Sequence, residues 1–273
     1  MVGSCANEPK PRASTPTASS SLSPTRSRRR RGSLSSPAPF VPFGAAHLAA
    51  LGSIAILSLL LVVLVRVRPR LELAVRLALA TAILLFLAFE LGIAAREGWI
   101  GWKTVLPLEL CDAALVLAVA TLLRPRPRTA EIVYFWAGSG TVLAMLTPDL
   151  RWDFPRWEFL VFFGLHGLVL GAALLLVFGL GFRPRPGAAW RAFAITALWA
   201  AFVGLVNLAL GTNFMYLRHK PSGATPLDLM GPWPAYIATG ALVALALFQL
   251  LSLPFRREWR AAGTSAAPGR AGE

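Results

Sequence analysis

Acidic residues are scarce in this chain: 13 Asp+Glu stand against 27 Lys+Arg among 273 residues. Charge of either sign is sparse as well, at 15% of residues, where a soluble domain carries about a quarter. That shortage argues against a soluble enzyme, and the apolar content argues against a disordered protein. Only two cysteines occur, Cys5 and Cys111, too few for a disulfide-built secreted module. Histidine is limited to His47, His166 and His219. No two of them lie four residues apart, as a helical metal-binding pair would. No metal site and no cofactor are expected.

Apolar sequence is what the chain has in abundance: 56% of residues are hydrophobic and the mean hydropathy is +0.60. A net charge of +14 and a pI near 11.4 would by themselves suggest phosphate neutralisation on nucleic acid. The basic residues are instead divided between one terminal segment and several short loops, so no nucleic-acid partner is expected. Residues 1–42 are rich in Ser, Pro and Arg, with the run Arg26-Ser27-Arg28-Arg29-Arg30-Arg31. Such a segment buries too little apolar surface to offset its ordering entropy and reads as a disordered tail. Residues 43–255 form the membrane domain, and residues 256–273 read as a flexible C-terminal tail.

Seven apolar stretches fill the membrane domain, at about residues 45–65, 71–95, 105–123, 130–147, 158–181, 188–210 and 233–253. Each approaches the ~20 residues that cross a bilayer as a helix. In lipid the backbone must satisfy its own polar groups, so these are helices and the fold class is an all-α transmembrane bundle. Gly138-Ser139-Gly140 interrupts the fourth stretch and predicts a close helix–helix approach. Trp99, Trp102, Trp152, Trp157 and Trp233 flank helix ends, as interfacial anchors do.

Alternate loops differ in character. One set is short and basic: Arg66 to Arg70, Arg124 to Arg128, Arg183 to Pro186, and Arg256-Arg257. From Arg66 onward, 14 Lys+Arg lie on that side and 6 on the other. The positive-inside rule then predicts an inner (plasma) membrane protein with its C-terminus cytoplasmic and its N-terminus outside. Counting the seven basic residues of the tail narrows the ratio to 14 against 13.

Unusual polar residues collect on the less basic side. His47 opens helix 1, Glu90 lies late in helix 2, and Glu109, Cys111 and Asp112 lie near the start of helix 3. His166 is within helix 5, Asn207 and Asn213 close helix 6, and Tyr216, His219, Lys220 and Asp228 occupy the loop beyond it. Ionisable groups inside a membrane are costly and mark candidate functional sites. A helix 3 starting at residue 105 puts Cys111 about 9 Å deep, and His166 is about 12 Å into helix 5. A thiol with an imidazole in reach suits acyl transfer or hydrolysis, the imidazole removing the proton as sulfur attacks an acyl carbonyl. The competing readings are structural. A lone cysteine in an apolar helix is commonly a small hydrophobe, His166 could serve as an interhelical hydrogen-bonding residue, and Glu109 and Asp112 could simply meet water.

Several stretches carry a resemblance: Phe43-Gly44-x-x-His47-Leu48, Leu106-Pro107-Leu108-Glu109-Leu110-Cys111, Tyr134-Phe135-Trp136-Ala137-Gly138-Ser139-Gly140-Thr141 and Leu146-Thr147-Pro148-Asp149-Leu150. Further on are Phe162-Phe163-x-x-His166-Gly167, Asn213-Phe214-Met215-Tyr216-Leu217-x-x-Lys220-Pro221 and Leu227-Asp228-x-x-Gly231-Pro232-Trp233-Pro234. From about residue 43 to 255 the chain resembles the YwaF-type family of bacterial integral membrane proteins. More distantly it is similar to eukaryotic multi-pass phospholipid acyltransferases with a membrane-embedded Cys and His. The resemblance implies Cys111 as acyl-accepting nucleophile and His166 as general base. His47, Glu90, Glu109, Asn213, Tyr216 and Lys220 complete the expected substrate-binding set, with Lys220 offering a point charge to phosphate. The expected partner is membrane lipid, with a phospholipid or acyl donor as substrate. A transporter or permease is the alternative, weakened by the lack of visible internal repeats. A non-catalytic membrane protein would leave the buried ionisable groups without a role.

Overall fold

The computed structural model describes residues 38–101, 106–221 and 225–259. Seven helices make up the described chain: α1 (Ala45–Val67), α2 (Glu72–Arg96), α3 (Leu110–Leu123), α4 (Pro127–Leu146), α5 (Trp157–Gly179), α6 (Ala188–Leu210) and α7 (Ala235–Ser252). All but α3 are long and apolar enough to cross a membrane. Among the described residues there is no strand, only an isolated antiparallel bridge between Pro39 and Trp152.

Local chemistry sets the helix ends. Arg68 and Arg124 each precede a proline and leave helical geometry, because the following ring excludes the α conformation. Pro127 starts α4 at the position where its missing N–H costs nothing. Gly98 (φ 72°) and Gly211 (φ 68°) adopt the left-handed conformation just past α2 and α6, the usual glycine stop. On the Arg-Pro side, arginines also close neighbouring helices. Arg76 Nε donates to the Leu122 carbonyl at 2.8 Å, and Arg66 Nε to the Phe178 carbonyl at 2.7 Å. These carbonyls lie in last turns, where no intrahelical donor remains.

Two helices are central. α4 and α5 have 61% of their most apolar residues buried, against 11–22% in α1, α2, α6 and α7. α5 packs on α1, α2, α3 and α4, while α6 and α7 pair with each other beside α4. Leu57, Leu60, Leu85, Leu198, Leu205 and Leu242 stay exposed on the outer helices, as lipid-facing side chains do. Both central helices contain a π-turn, at Ala137–Thr141 and Leu175–Gly179, a local widening frequent near functional sites. Close approach at the glycines is borne out: a Cβ on Gly138 would lie 3.0 Å from Leu251 of α7.

The third helix departs from expectation. It begins at Leu110, five residues later than the apolar run, and has 14 residues, about 21 Å of rise for a core of about 30 Å. Pro107 is the reason, since it disfavours helix at Leu106; Leu108 N–H then folds back onto the Leu106 carbonyl at 2.8 Å.

Of the segment read as an N-terminal tail, residues 38–42 are described and run beside the loop after α4. Phe40 N–H donates to the Arg151 carbonyl at 3.2 Å, and Asp153 N–H to the Ala38 carbonyl at 2.9 Å. Residues 1–37, and with them Cys5 and the arginine run, lie outside the described residues, as does Trp102. At the other end Glu258 pairs with Arg183, and Trp259 Nε1 donates to the Pro184 carbonyl at 2.9 Å; residues 260–273 lie outside the described residues.

Candidate active site

Because α3 starts late, Cys111 is its second residue, not a group two turns down. No side chain caps this helix start. The first helical hydrogen bond is Ala113 N–H to the Glu109 carbonyl, at 3.1 Å, so the N–H groups of Leu110 and Cys111 precede the ladder. Amides in that position favour negative charge nearby. Cys111 is a free, partly buried cysteine.

Asp112 is buried beside this helix start, 5% exposed. It lies on α3 one residue after Cys111, and α3 packs on both α2, which carries Glu90, and α5, which carries His166. Three packed helices therefore carry Glu90, Glu109, Cys111 and His166, together with a buried carboxylate that the sequence ranked below them. Its signal was available: Asp112 is three residues from Glu109 and shares its helical face. Burial, not water, surrounds it.

His166 is held by its own helix. Its Nδ1 lies 2.7 Å from the Phe162 carbonyl, and its ring stacks on that of Phe162 with centroids 4.2 Å apart. A carbonyl can only accept, so Nδ1 carries the hydrogen. Nε2 is left with its lone pair and can take a proton.

The loop beyond α6 closes over the start of α3. Met215 N–H donates to Glu109 Oε2 at 3.0 Å. Met215 (φ 56°) and Tyr216 (φ 51°) are both left-handed, a conformation that costs a side-chain-bearing residue of order 1–2 kcal/mol. Neighbouring groups over-determine it. The Asn207 amide is fully buried, donating to the Phe214 carbonyl at 2.9 Å and accepting from Phe214 N–H at 2.8 Å. Asn213 Oδ1 accepts from Arg218 N–H at 2.9 Å and His219 N–H at 3.2 Å. The Tyr236 hydroxyl donates to the Tyr216 carbonyl. Strain held by several partners is characteristic of functional loops. Lys220 Nζ sits 3.6 Å from Asp228 Oδ1 and 5.5 Å from the Tyr236 ring centroid. Asp228 also accepts from Thr225 N–H at 2.8 Å in a capping box, which orders this loop.

His47 stands apart from these groups. It is fully buried among Phe40, Phe43 and Phe163. Its Nδ1 accepts from Phe43 N–H at 2.9 Å, and its Nε2 faces the Met145 carbonyl at 2.8 Å. The ring nitrogens join the start of α1 to the end of α4, and the ring face packs on Phe163 of α5. Among the described residues, no group of three or more His, Cys, Asp or Glu is arranged to hold a metal ion.

The sequence reading also passed over Glu131, a buried acid near the start of α4 on the opposite side of the bundle. It forms ion pairs with Arg185 at 2.7 Å and Arg191 at 3.1 Å.

No solved structure matches the chain. An uncharacterised protein of Treponema pallidum (strain Nichols) is 30% identical over 221 residues, which covers 80% of this chain and 90% of that protein. A family model matches residues 42–252, the membrane domain from the residue after Val41 to the end of α7. The chain belongs to the TMEM164 family.

Proposed function

We propose that this protein is a lipid-directed acyltransferase or hydrolase working through an acyl-Cys111 intermediate. The reading rests on two separate observations: an uncapped helix start at Cys111, and a His166 whose Nδ1 is engaged by the Phe162 carbonyl so that its Nε2 keeps the lone pair. The resemblance to YwaF-type proteins and to multi-pass phospholipid acyltransferases supports it.

In the first half-reaction, Cys111 sulfur attacks the carbonyl carbon of a phospholipid ester while His166 Nε2 takes the thiol proton. The N–H groups of Leu110 and Cys111 offer hydrogen bonds to the oxyanion that develops. Collapse of this intermediate breaks the ester C–O bond. The departing lysolipid alkoxide recovers the proton from His166 and leaves a thioester on Cys111. A second hydroxyl, from another lysolipid or from water, gives its proton to Nε2 and attacks the thioester, which restores the thiol. Lys220 would offer a positive charge to the phosphate of the headgroup, and the Asn213–Tyr216 loop would form the rim over the scissile ester.

The proposed location is the inner (plasma) membrane, with the Arg-Pro loops and the C-terminus cytoplasmic and the Cys111 end of α3 on the outer side. The test is covalent labelling. Detergent-solubilised protein incubated with a phospholipid bearing a tagged acyl chain should acquire a hydroxylamine-labile label. Label retained undiminished in Cys111→Ala would overturn the mechanism.

A further inference from the structure

At the other end of the bundle, where α3 gives way to α4, lies a polar cluster that the Cys111 chemistry does not use. We propose that it binds the phosphate of an anionic lipid headgroup.

Glu131 is its anchor, with its side chain 2% exposed. Oε1 accepts from the backbone N–H of Arg185 at 2.9 Å and from its Nε at 2.7 Å, and Oε2 accepts from its Nη2 at 3.1 Å. Arg191 Nη2 reaches the same two oxygens at 3.2 and 3.1 Å, while its Nη1 donates to the Pro186 carbonyl at 2.7 Å. One carboxylate thus orients two guanidinium groups and neutralises one of them. Arg128 joins these groups around a cavity of about 340 Å³, which Ile132 and Ile195 complete.

Three arginines against one glutamate leave an excess of two positive charges at this cavity. The carboxylate explains the orientation of Arg185 and Arg191. It does not explain the third cation. Both oriented arginines remain more than two fifths exposed, at 44% and 43%. Arg185 Nη1 and Arg191 Nε are not used on Glu131, so donors remain for an incoming anion. A phosphate matches this charge and the forked donor geometry of arginine. Ile132 and Ile195 supply an apolar wall, and Ile195 is 42% exposed on the outer face of α6. An amphiphile uses both surfaces, its phosphate on the arginines and its chain along the isoleucines. A soluble phosphate shares the polar chemistry but leaves that wall idle.

The test uses the full chain, delipidated in neutral detergent and offered equal amounts of phosphatidylglycerol and phosphatidylcholine with the same acyl chains. Native mass spectrometry then counts bound lipid. The expected result is a preference for phosphatidylglycerol of about fivefold, falling to near parity in Arg128→Gln, since one arginine near a headgroup contributes about 1 kcal/mol. That substitution leaves both Glu131 ion pairs in place, so the thermal unfolding temperature of the lipid-free protein should not move. Millimolar inorganic phosphate should leave the lipid adduct intact. Stabilisation by inorganic phosphate without any lipid preference would keep phosphate recognition and overturn the lipid as its source. Equal retention of the two lipids without a response to phosphate would overturn the site. So would a preference undiminished in both Arg128→Gln and Arg185→Gln.

Discussion

The backbone N–H of Met215 donates to Glu109 Oε2 across 3.0 Å, joining residues 106 positions apart. This bond ties the left-handed turn after α6 to the residue just before α3, the helix that carries Cys111. Glu109→Ala removes the acceptor and leaves a part-buried N–H unmade. Hydrogen bonds to charged groups contribute about 1.5–3 kcal/mol, so a loss of unfolding free energy of that order is expected in a denaturant titration in detergent micelles. Glu109→Gln keeps an acceptor oxygen and should recover part of the loss.

His166→Asn separates two roles of one side chain. The asparagine amide can donate to the Phe162 carbonyl as Nδ1 does, but it cannot take a proton. The variant should stay folded while acyl labelling of Cys111 slows by about 10²–10⁴-fold, the usual contribution of a general base. Single-turnover labelling rates measure this directly. An unchanged rate would remove His166 from the chemistry.

His47 leads to the opposite expectation. With one ring nitrogen accepting from Phe43 N–H and the other facing the Met145 carbonyl, the residue acts on the fold. His47→Phe keeps the bulk but orphans the buried Met145 carbonyl, at about 1–3 kcal/mol, and leaves the part-buried Phe43 N–H without its acceptor. The unfolding transition should fall sharply while the surviving folded protein still labels at Cys111.

Two glycine substitutions test the packing. A Cβ on Gly164 would meet the Phe86 ring at 2.4 Å, whereas nothing lies within 4 Å of one on Gly52. Gly164→Ala should cost about 1–3 kcal/mol through overpacking. Gly52→Ala lies in open helix and should instead stabilise by about 0.5–1 kcal/mol. Thermal unfolding in one detergent compares the pair.

Orientation is tested by a periplasm-active phosphatase reporter fused after Glu273. The 14 to 6 division of Lys+Arg between the two sides predicts an inactive fusion. Strong activity would place the Arg-Pro loops outside.

Helix number was legible because lipid imposes a length and forbids unpaired backbone, two requirements written directly in local sequence. α6 spans Ala188–Leu210 as the apolar run does, and α1, α2, α5 and α7 agree within a few residues. The start of α3 was less legible, since Leu106, Leu108 and Leu110 read as apolar whether helical or not. Only the effect of Pro107 on its neighbour separates the two, and hydropathy does not register it. Glu131 was hidden for another reason. Its partners Arg185 and Arg191 are 54 and 60 residues away, so a buried anchor looked like one more charge beside a basic loop.

The sequence by itself determined an all-α membrane bundle, a basic side and a polar side, and which residue types could carry chemistry. Those properties follow from composition and spacing along the chain, where the solvent acts on each segment independently. Tertiary structure decided which of the polar residues meet. It packed α3, with Glu109, Cys111 and Asp112, against the helices that carry Glu90 and His166, and it committed His47 to the aromatic packing between α1, α4 and α5. It also turned part of the basic excess into an anchored arginine cluster. Hydrogen bonds and ion pairs act over a few ångströms, and only helix packing brings residues so far apart in the chain within that range.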